Sequence, residues 1–291
     1  MTYRKTEAIT IYQRHYSESS QIITFYTADF GKIVLLARGI QRQKKRNLNP
    51  PDLFSHSEIV FLERSPQSIN LLTEITIKDN FASLRTDLAK LRRTFYVAEF
   101  LNEMTDQREP NRELFDLALN TLLELAAEEI KPRNTKRRLI AKDGIREETV
   151  LFSFEAQALK FLGYMPNTFC CVHCGKPAEN RRVAFSFRSG SIICPECGIR
   201  EYPKAPPQAG RLPSYNVALS RACLTGRQAR GNDLIGVSAG AMKLMHILGN
   251  PFLPDIGRLK ITRQMQMELR RFINKYIRYI TGKEFKTLKA K

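Results

Sequence analysis

The sequence predicts an α+β, multidomain chain: a small N-terminal β-barrel, an all-α region, and a four-cysteine module inserted into that region. Three observations predict it. Short alternations of apolar and polar residues fill positions 1–80, the period then lengthens to three and four, and four cysteines stand in two close pairs.

The first segment reads as strands. Ile9 and Ile11 alternate with Thr10 and Tyr12, and Ile23 and Phe25 alternate with Thr24 and Tyr26. Asp29-Phe30-Gly31 is a turn signal before the apolar run Ile33 to Ala37. Further strands are expected across 58–63 and 69–77. Such short strands in so few residues expose many edges unless the sheet closes, which favours a barrel. Arg38 to Pro51 is polar and basic, ends in Pro50-Pro51, and reads as a loop on the barrel rim.

From residue 81 the pattern is helical. Leu84, Leu88, Leu91, Phe95, Ala98 and Leu101 form one stripe; Leu114, Ala118, Leu122 and Leu125 a second; Leu151, Phe154, Ala158 and Leu162 a third, stopped at Gly163. The cysteine module occupies 167–202. Prolines 203, 206, 207 and 213 mark an extended linker, after which helices are expected at 215–224, 238–248 and 262–280. In the last, Leu269, Phe272, Ile273, Tyr276 and Ile280 face one way and Arg271, Lys275 and Arg278 another, with Gly282 as C-terminal cap. The expected domains are therefore 1–80 (barrel), 81–166 (helical, first part), 167–202 (cysteine module) and 203–291 (helical, second part, with a basic end).

Charge narrows the function. The net charge is +18, which favours a polyanionic partner. The charge is clustered. Arg38, Arg42, Lys44, Lys45 and Arg46 stand in nine residues without an acid, and a second cluster runs from Lys131 to Arg146. From Arg258 onward eleven Lys and Arg face only Glu268 and Glu284. Each cluster can neutralise phosphates. The loop at 38–46 carries the greater expectation, because it projects from a barrel beside Tyr12, Phe25 and Tyr26, and charged grooves with aromatic platforms bind single strands. No apolar run approaches the roughly 20 residues of a membrane helix. The N-terminus has no apolar signal core, so a cytoplasmic protein without a membrane partner is expected.

Cys171-Val-His-Cys174-Gly175 and Cys194-Pro-Glu-Cys197-Gly198 have the spacing of a zinc site. Two residues between sulfurs let a tight turn aim both thiolates at one ion, and the following glycine permits unusual backbone angles. Four thiolates close the tetrahedron, so one structural Zn2+ is expected at Cys171, Cys174, Cys194 and Cys197. The chain lacks a phosphate-binding glycine loop, a metalloprotease helix and a nucleophile elbow. Zinc deaminases need an upstream acid-bearing ligand segment that is missing here. His246 lies among Met242, Met245, Ile247 and Leu248 and reads as a core residue. No catalytic constellation is expected, and none of these residues is assigned to an enzyme.

This order of parts resembles the bacterial RecO family. Thr6-Glu7-Ala8-Ile9-Thr10, Phe30-Gly31-Lys32 and Ala37-Arg38-Gly39 are similar to its opening; Cys171 to Gly175, Phe185-Ser186 and Cys194 to Cys197 to its zinc segment; and Gly282 to Leu288 to its closing stretch. Two departures stand out: Ser189-Gly190-Ser191 where the family has Gly-Gly, and Thr287 where it has Ser. The resemblance implies an oligonucleotide-binding (OB) fold for the barrel. It also implies a DNA repair and recombination role: binding single- and double-stranded DNA, annealing complementary strands and, with RecR, loading RecA onto strands coated by single-strand binding protein (SSB). A nucleoid-associated protein would follow. The competing reading is a zinc-containing RNA-binding or transcription factor.

Overall fold

The computed structural model describes residues 2–38, 51–64, 68–127, 145–177, 182–201, 234–250 and 261–288. The chain divides into two compact units, Met1–Phe154 with Phe285–Lys291, and Glu155–Glu284.

The first unit opens with five strands: β1 (Thr2–Ser17), β2 (Ser20–Thr27), β3 (Gly31–Ala37), β4 (His56–Glu63) and β5 (Asn70–Asp79). They close in the order β1-β2-β3-β5-β4, so the expected barrel is present and no edge is left open. β1 is long enough to pair with both β2 and β4, and a short parallel pairing of Leu35 with Asn70 and Leu36 with Leu71 completes the ring. Bulges at Thr10/Tyr12 and Val60/Phe61 supply the bend that closure needs. Ala8, Ile23, Phe25, Ile33, Leu35, Ala37, Ile59, Phe61, Leu72 and Ile75 fill the interior.

The Phe30-Gly31-Lys32 turn carries structural work. Phe30 packs edge-on against Phe61 at 5.4 Å. Gly31 has φ +61°, and a Cβ there would lie 2.0 Å from the Glu109 carbonyl oxygen, so only glycine fits. Lys32 donates to the carbonyls of Asn102 (2.5 Å) and Thr105 (2.6 Å), at the C-terminal end of α2, defined next.

Helices α1 (Ser83–Thr86), α2 (Leu88–Met104) and α3 (Arg112–Ala126) follow. Asp87 is extended, ends α1 and caps α2 by accepting from Ala89 and Lys90. This break shifts the apolar phase, so the single stripe expected across it fails. Leu88 and Phe95 are exposed, while Tyr96, Val97, Phe100 and Met104 are buried beside Ala98 and Leu101. The α3 stripe holds, with all four expected residues buried behind an Asn111 cap. Phe285 returns to this unit and packs between Tyr96 (5.7 Å) and Phe100 (6.2 Å). Glu99 accepts from the backbone N–H groups of Lys286 and Thr287 and from the Thr287 hydroxyl.

α4 (Ile145–Phe161) leads into the second unit, ending at Gly163, whose φ is +77°. That unit holds β6 (Asn167–Cys171), β7 (Arg182–Ser186), β8 (Ser191–Ile193), α5 (Pro195–Glu201), β9 (Leu234–Ser238), α6 (Ala239–Leu248) and α7 (Arg263–Thr281). The four strands form one sheet in the order β6-β8-β7-β9. β9 is a correction: only helix was expected after residue 203, yet Leu234–Ser238 pairs antiparallel with Arg182–Ser186. Five residues interrupted by Gly236 give little periodic signal. The expected helix at 215–224 lies outside the described residues. The sheet packs on α7 through Phe185, which meets Phe272 at 4.8 Å and Tyr276 at 5.6 Å. Thr262 caps α7 at its start, and Gly282, with φ +68°, caps its end.

Candidate metal centre and nucleic-acid interface

The cysteine pairs are brought together by different local devices. Cys171 ends β6, and the turn after it is closed by Gly175 N–H donating to the Cys171 carbonyl at 2.9 Å. Gly175 has φ +69°, as expected for the first pair. The second pair differs. Pro195 opens α5, where a missing N–H costs nothing, and Cys194 precedes it as a cap. The Cys197 N–H donates to Cys194 Sγ at 3.4 Å. Gly198 is helical, so no unusual backbone angle is needed there.

The four sulfurs all lie within 4.8 Å of one another, and Cys174 Sγ and Cys194 Sγ are 3.7 Å apart. A tetrahedral ion with bonds of about 2.3 Å spaces its sulfurs by roughly 3.8 Å, so the set can hold one metal ion. Burial pushes the Cys171 thiol up, but backbone N–H donors from Cys194, Cys174 and His173 outweigh it and hold it near a pKa of about 6. Cys197 is pushed up to about 12 by its bond to Cys194 and by burial. Four thiolates repel without a cation between them, and a divalent ion removes that conflict. Cys170, half-buried beside Cys171, is not among the converging sulfurs.

The basic residues divide. On α7, Arg270 meets the buried Glu155 at 2.5 Å, and Glu268 accepts from Arg182 at 3.1 Å. Arg271, Lys275 and Arg278 are exposed on the outer face, and none has an ion-pair partner among the described residues. Partial burial and the charge of Arg271 press the Lys275 ammonium below its ordinary pKa. Crowded cations of this kind are relieved by an anion.

On the barrel, Arg38 is exposed at the end of β3, while Arg42, Lys44, Lys45 and Arg46 lie outside the described residues. Of the three aromatics expected beside that loop, only Tyr12 is exposed; Phe25 and Tyr26 are completely buried. Phe25 points into the barrel, and Tyr26, on the other face of β2, is covered as well. The sequence reading missed Arg14 and Tyr16, both exposed on β1. The alternation Tyr12, Arg14, Tyr16 was the available signal. Register places His15, Gln21 and Ala37 in one row, so Tyr16 and Arg38 reach the same barrel end. At the other end a cavity of about 230 Å³ opens between Phe30, Phe61, Asp29, Glu63 and Arg108. Arg108 pairs with Glu63 at 3.5 Å and Asp29 adds a second acid, so the lining of this cavity has no positive surplus. His246, expected in the core, is exposed on α6.

A closed five-stranded barrel, a helical region and a sheet carrying four convergent thiols define a class of barrel-bearing, metal-competent proteins with surplus positive charge. Family models place the chain within that class. Residues 1–81 match the description "Recombination protein O N terminal", and residues 85–289 match "Recombination protein O C terminal". The chain belongs to the RecO family, which acts in DNA repair and recombination, and its barrel is the OB-like domain of that family. It is similar to the DNA repair protein RecO of Rhodopirellula baltica, 33% identical over 192 residues covering 65% of each chain. It is also similar to that of Syntrophus aciditrophicus, 26% identical over 98% of this chain and 94% of the relative. That of Dehalococcoides mccartyi is 28% identical over 98% and 93%. No described helix is long and apolar enough to cross a membrane.

Proposed function

We propose that the chain is a non-catalytic recombination mediator. It binds single- and double-stranded DNA, anneals complementary strands and, with RecR, helps load RecA onto SSB-coated single strands at the nucleoid. The observation that carries this reading is the outer face of α7. Arg270 on α7 and Arg182 on β7 have acidic partners, whereas Arg271, Lys275 and Arg278 have none among the described residues. Steps of four and three place them on one stripe about 10 Å long, a span that meets successive phosphates. The barrel end bearing Tyr12, Arg14, Tyr16 and Arg38 adds a second surface, to which Arg42, Lys44, Lys45 and Arg46 are assigned. Annealing brings two polyanions together, and cationic surfaces on both units lower that repulsion.

The ion held by Cys171, Cys174, Cys194 and Cys197 is one zinc. Four thiolates leave no open coordination position, so its contribution is to tie the turn after β6 to the start of α5. Annealing of complementary strands coated with SSB, with and without RecR, tests the reading. Sequence-independent annealing by the chain and faster RecA loading in the presence of RecR are expected. Binding restricted to RNA or to one DNA sequence would place the chain with transcription or RNA-binding factors.

A further inference from the structure

The outer stripe of α7 does not end in a cation. Tyr279 follows Arg271 and Lys275 at steps of four and stands next to Arg278, so all four side chains leave the helix within an arc of roughly 100°. The Tyr279 residue is 47% exposed. Its ring stacks on that of Phe187 at 5.6 Å, the planes tilted by 25°. Phe187 is itself buried, and lies nearly parallel to Phe272 at 6.5 Å and to Tyr276 at 6.2 Å. Tyr276 is fixed in turn by its hydroxyl, which donates to the Tyr164 carbonyl at 2.9 Å. Tyr279 is therefore the solvent end of a stacked array, held from behind. An exposed ring alone needs no explanation, but one fixed on a cationic stripe does.

Charge selects what covers it. The turn between β7 and β8 carries Phe187 and abuts α7, a Cβ at Gly190 lying 3.9 Å from the Tyr276 hydroxyl. The same turn carries the exposed Arg188. Neither Arg188 nor the three α7 cations has an ion-pair partner among the described residues, and Glu155, Glu196 and Glu268 are taken by Arg270, Lys176 and Arg182. The imbalance belongs to the whole second unit: residues 155–284 contain twenty Lys and Arg against eight Asp and Glu, so most cations there have no acid to meet. Partial burial and the charge of Arg271 hold the Lys275 ammonium below its ordinary pKa, as expected of cations crowded together. Such a stripe takes a polyanion, and the open ring takes a flat group carried beside the anion's charge. Unpaired nucleic acid presents both, with phosphates along its backbone and bases free to stack. A duplex offers phosphates and base edges, but no base face.

We infer that Tyr279 is a stacking platform for one unpaired DNA base, with Arg188, Lys275 and Arg278 facing the adjoining phosphates. The platform rests on the reading of α7 as a DNA surface given above, and adds to it a means of telling single strands from duplex.

The chain contains no tryptophan, so Tyr279→Trp installs a single reporter. Single-stranded oligothymidylate should quench its fluorescence, saturating where anisotropy reports binding, and duplex of equal length should bind without quenching. Tyr279→Ala should weaken oligothymidylate binding about five-fold or more, leaving duplex affinity and the salt slope unchanged. Tyr279→Phe keeps the ring and should bind like wild type. An abasic strand of equal length should bind wild type and Tyr279→Ala equally. Arg188→Gln should flatten the single-strand slope by about 0.7. Melting temperature serves as the folding control, and if Tyr279→Ala does not fold, quenching of the Tyr279→Trp reporter decides. Wild-type oligothymidylate affinity in a folded Tyr279→Ala protein, equal losses for single strand and duplex, or an unquenched reporter would each overturn the platform while leaving DNA binding by α7 intact. If the wild-type protein bound no DNA, platform and proposed function would fail together.

Discussion

Glu268 shows how one side chain joins three elements. It accepts from the backbone N–H of Ser238 at the β9–α6 junction and from Arg182 on β7. Burial raises its pKa, but the bonds from Ser238 and Arg182 outweigh that and hold it below the ordinary 4.5. A depressed carboxylate stabilises the fold fully above its unfolded pKa, and that stability is lost as pH falls through the folded value. Glu268→Gln should therefore be less stable than wild type at neutral pH, with the gap closing as pH drops below about 4; denaturant midpoints across pH 3–7 measure it. Glu7, held low chiefly by its bond to Lys78 and also by His56, adds to the same acid limb from the barrel. Thr287 belongs at this scale too. Its hydroxyl and backbone N–H both donate to Glu99, so Thr287→Ser should be nearly neutral. Thr287→Val should cost about 1–2 kcal/mol in a denaturant melt. Both donations explain a residue of the Ser/Thr type at position 287, which the sequence reading noted without a reason.

Among the elements, α7 has the clearest division of labour. Its inner face carries Leu269, Phe272, Ile273, Tyr276 and Ile277, with Ile277 buried where Ile280 was expected and Ile280 only half-buried, and its outer face carries the three cations. Changing Arg271, Lys275 and Arg278 together to Gln should leave stability within about 0.5 kcal/mol, since all three side chains are on the exposed face and Gln keeps part of each stem. The plot of log affinity against log salt for single strands should flatten by about 2, or about 0.7 per phosphate contact. A parallel variant altering Arg38, Arg42, Lys44, Lys45 and Arg46 tests the barrel end. Normal binding by that variant, with failure of the α7 variant, would put the main DNA platform on α7. The amphipathic period of α7 was legible because both caps, Thr262 and Gly282, bracket an unbroken pattern. That of α1 and α2 was not, because Asp87 resets the phase in mid-pattern.

For the whole molecule, the metal centre separates scaffold from surface. The purified protein should carry about one equivalent of zinc, and Cys194→Ser should lose most of it. Chelation should lower the melting temperature of the second unit, because ligand binding energy is folding energy there. Salt-dependent DNA affinity should change less, since Arg271, Lys275 and Arg278 lie outside the thiol cluster. Metal analysis with calorimetry and anisotropy on the same sample decides between these outcomes. An intact melt after complete metal removal would show that the sheet holds itself together without the ion.

The strands of the barrel, the helix of α3 and the cysteine spacing could all be read from the chain. Each is a local pattern: a period of two, a period of three to four, or a turn that aims two thiolates at one point. Which face would be covered could be read for α3 and most of α7 but not for β2, α2 or α6. Phe25 and Tyr26 occupy opposite faces of β2, yet both are buried. His246 sits in an apolar run, yet its turn of α6 faces solvent. β9 is too short to announce itself and exists as a strand because β7 offers an edge to pair with. Arg270 and Arg271 are neighbours in a basic run, but only Arg270 finds a buried carboxylate, 115 residues away in sequence. Local conformation follows from adjacent residues, whereas burial and charge neutralisation depend on segments that meet only when the chain closes on itself.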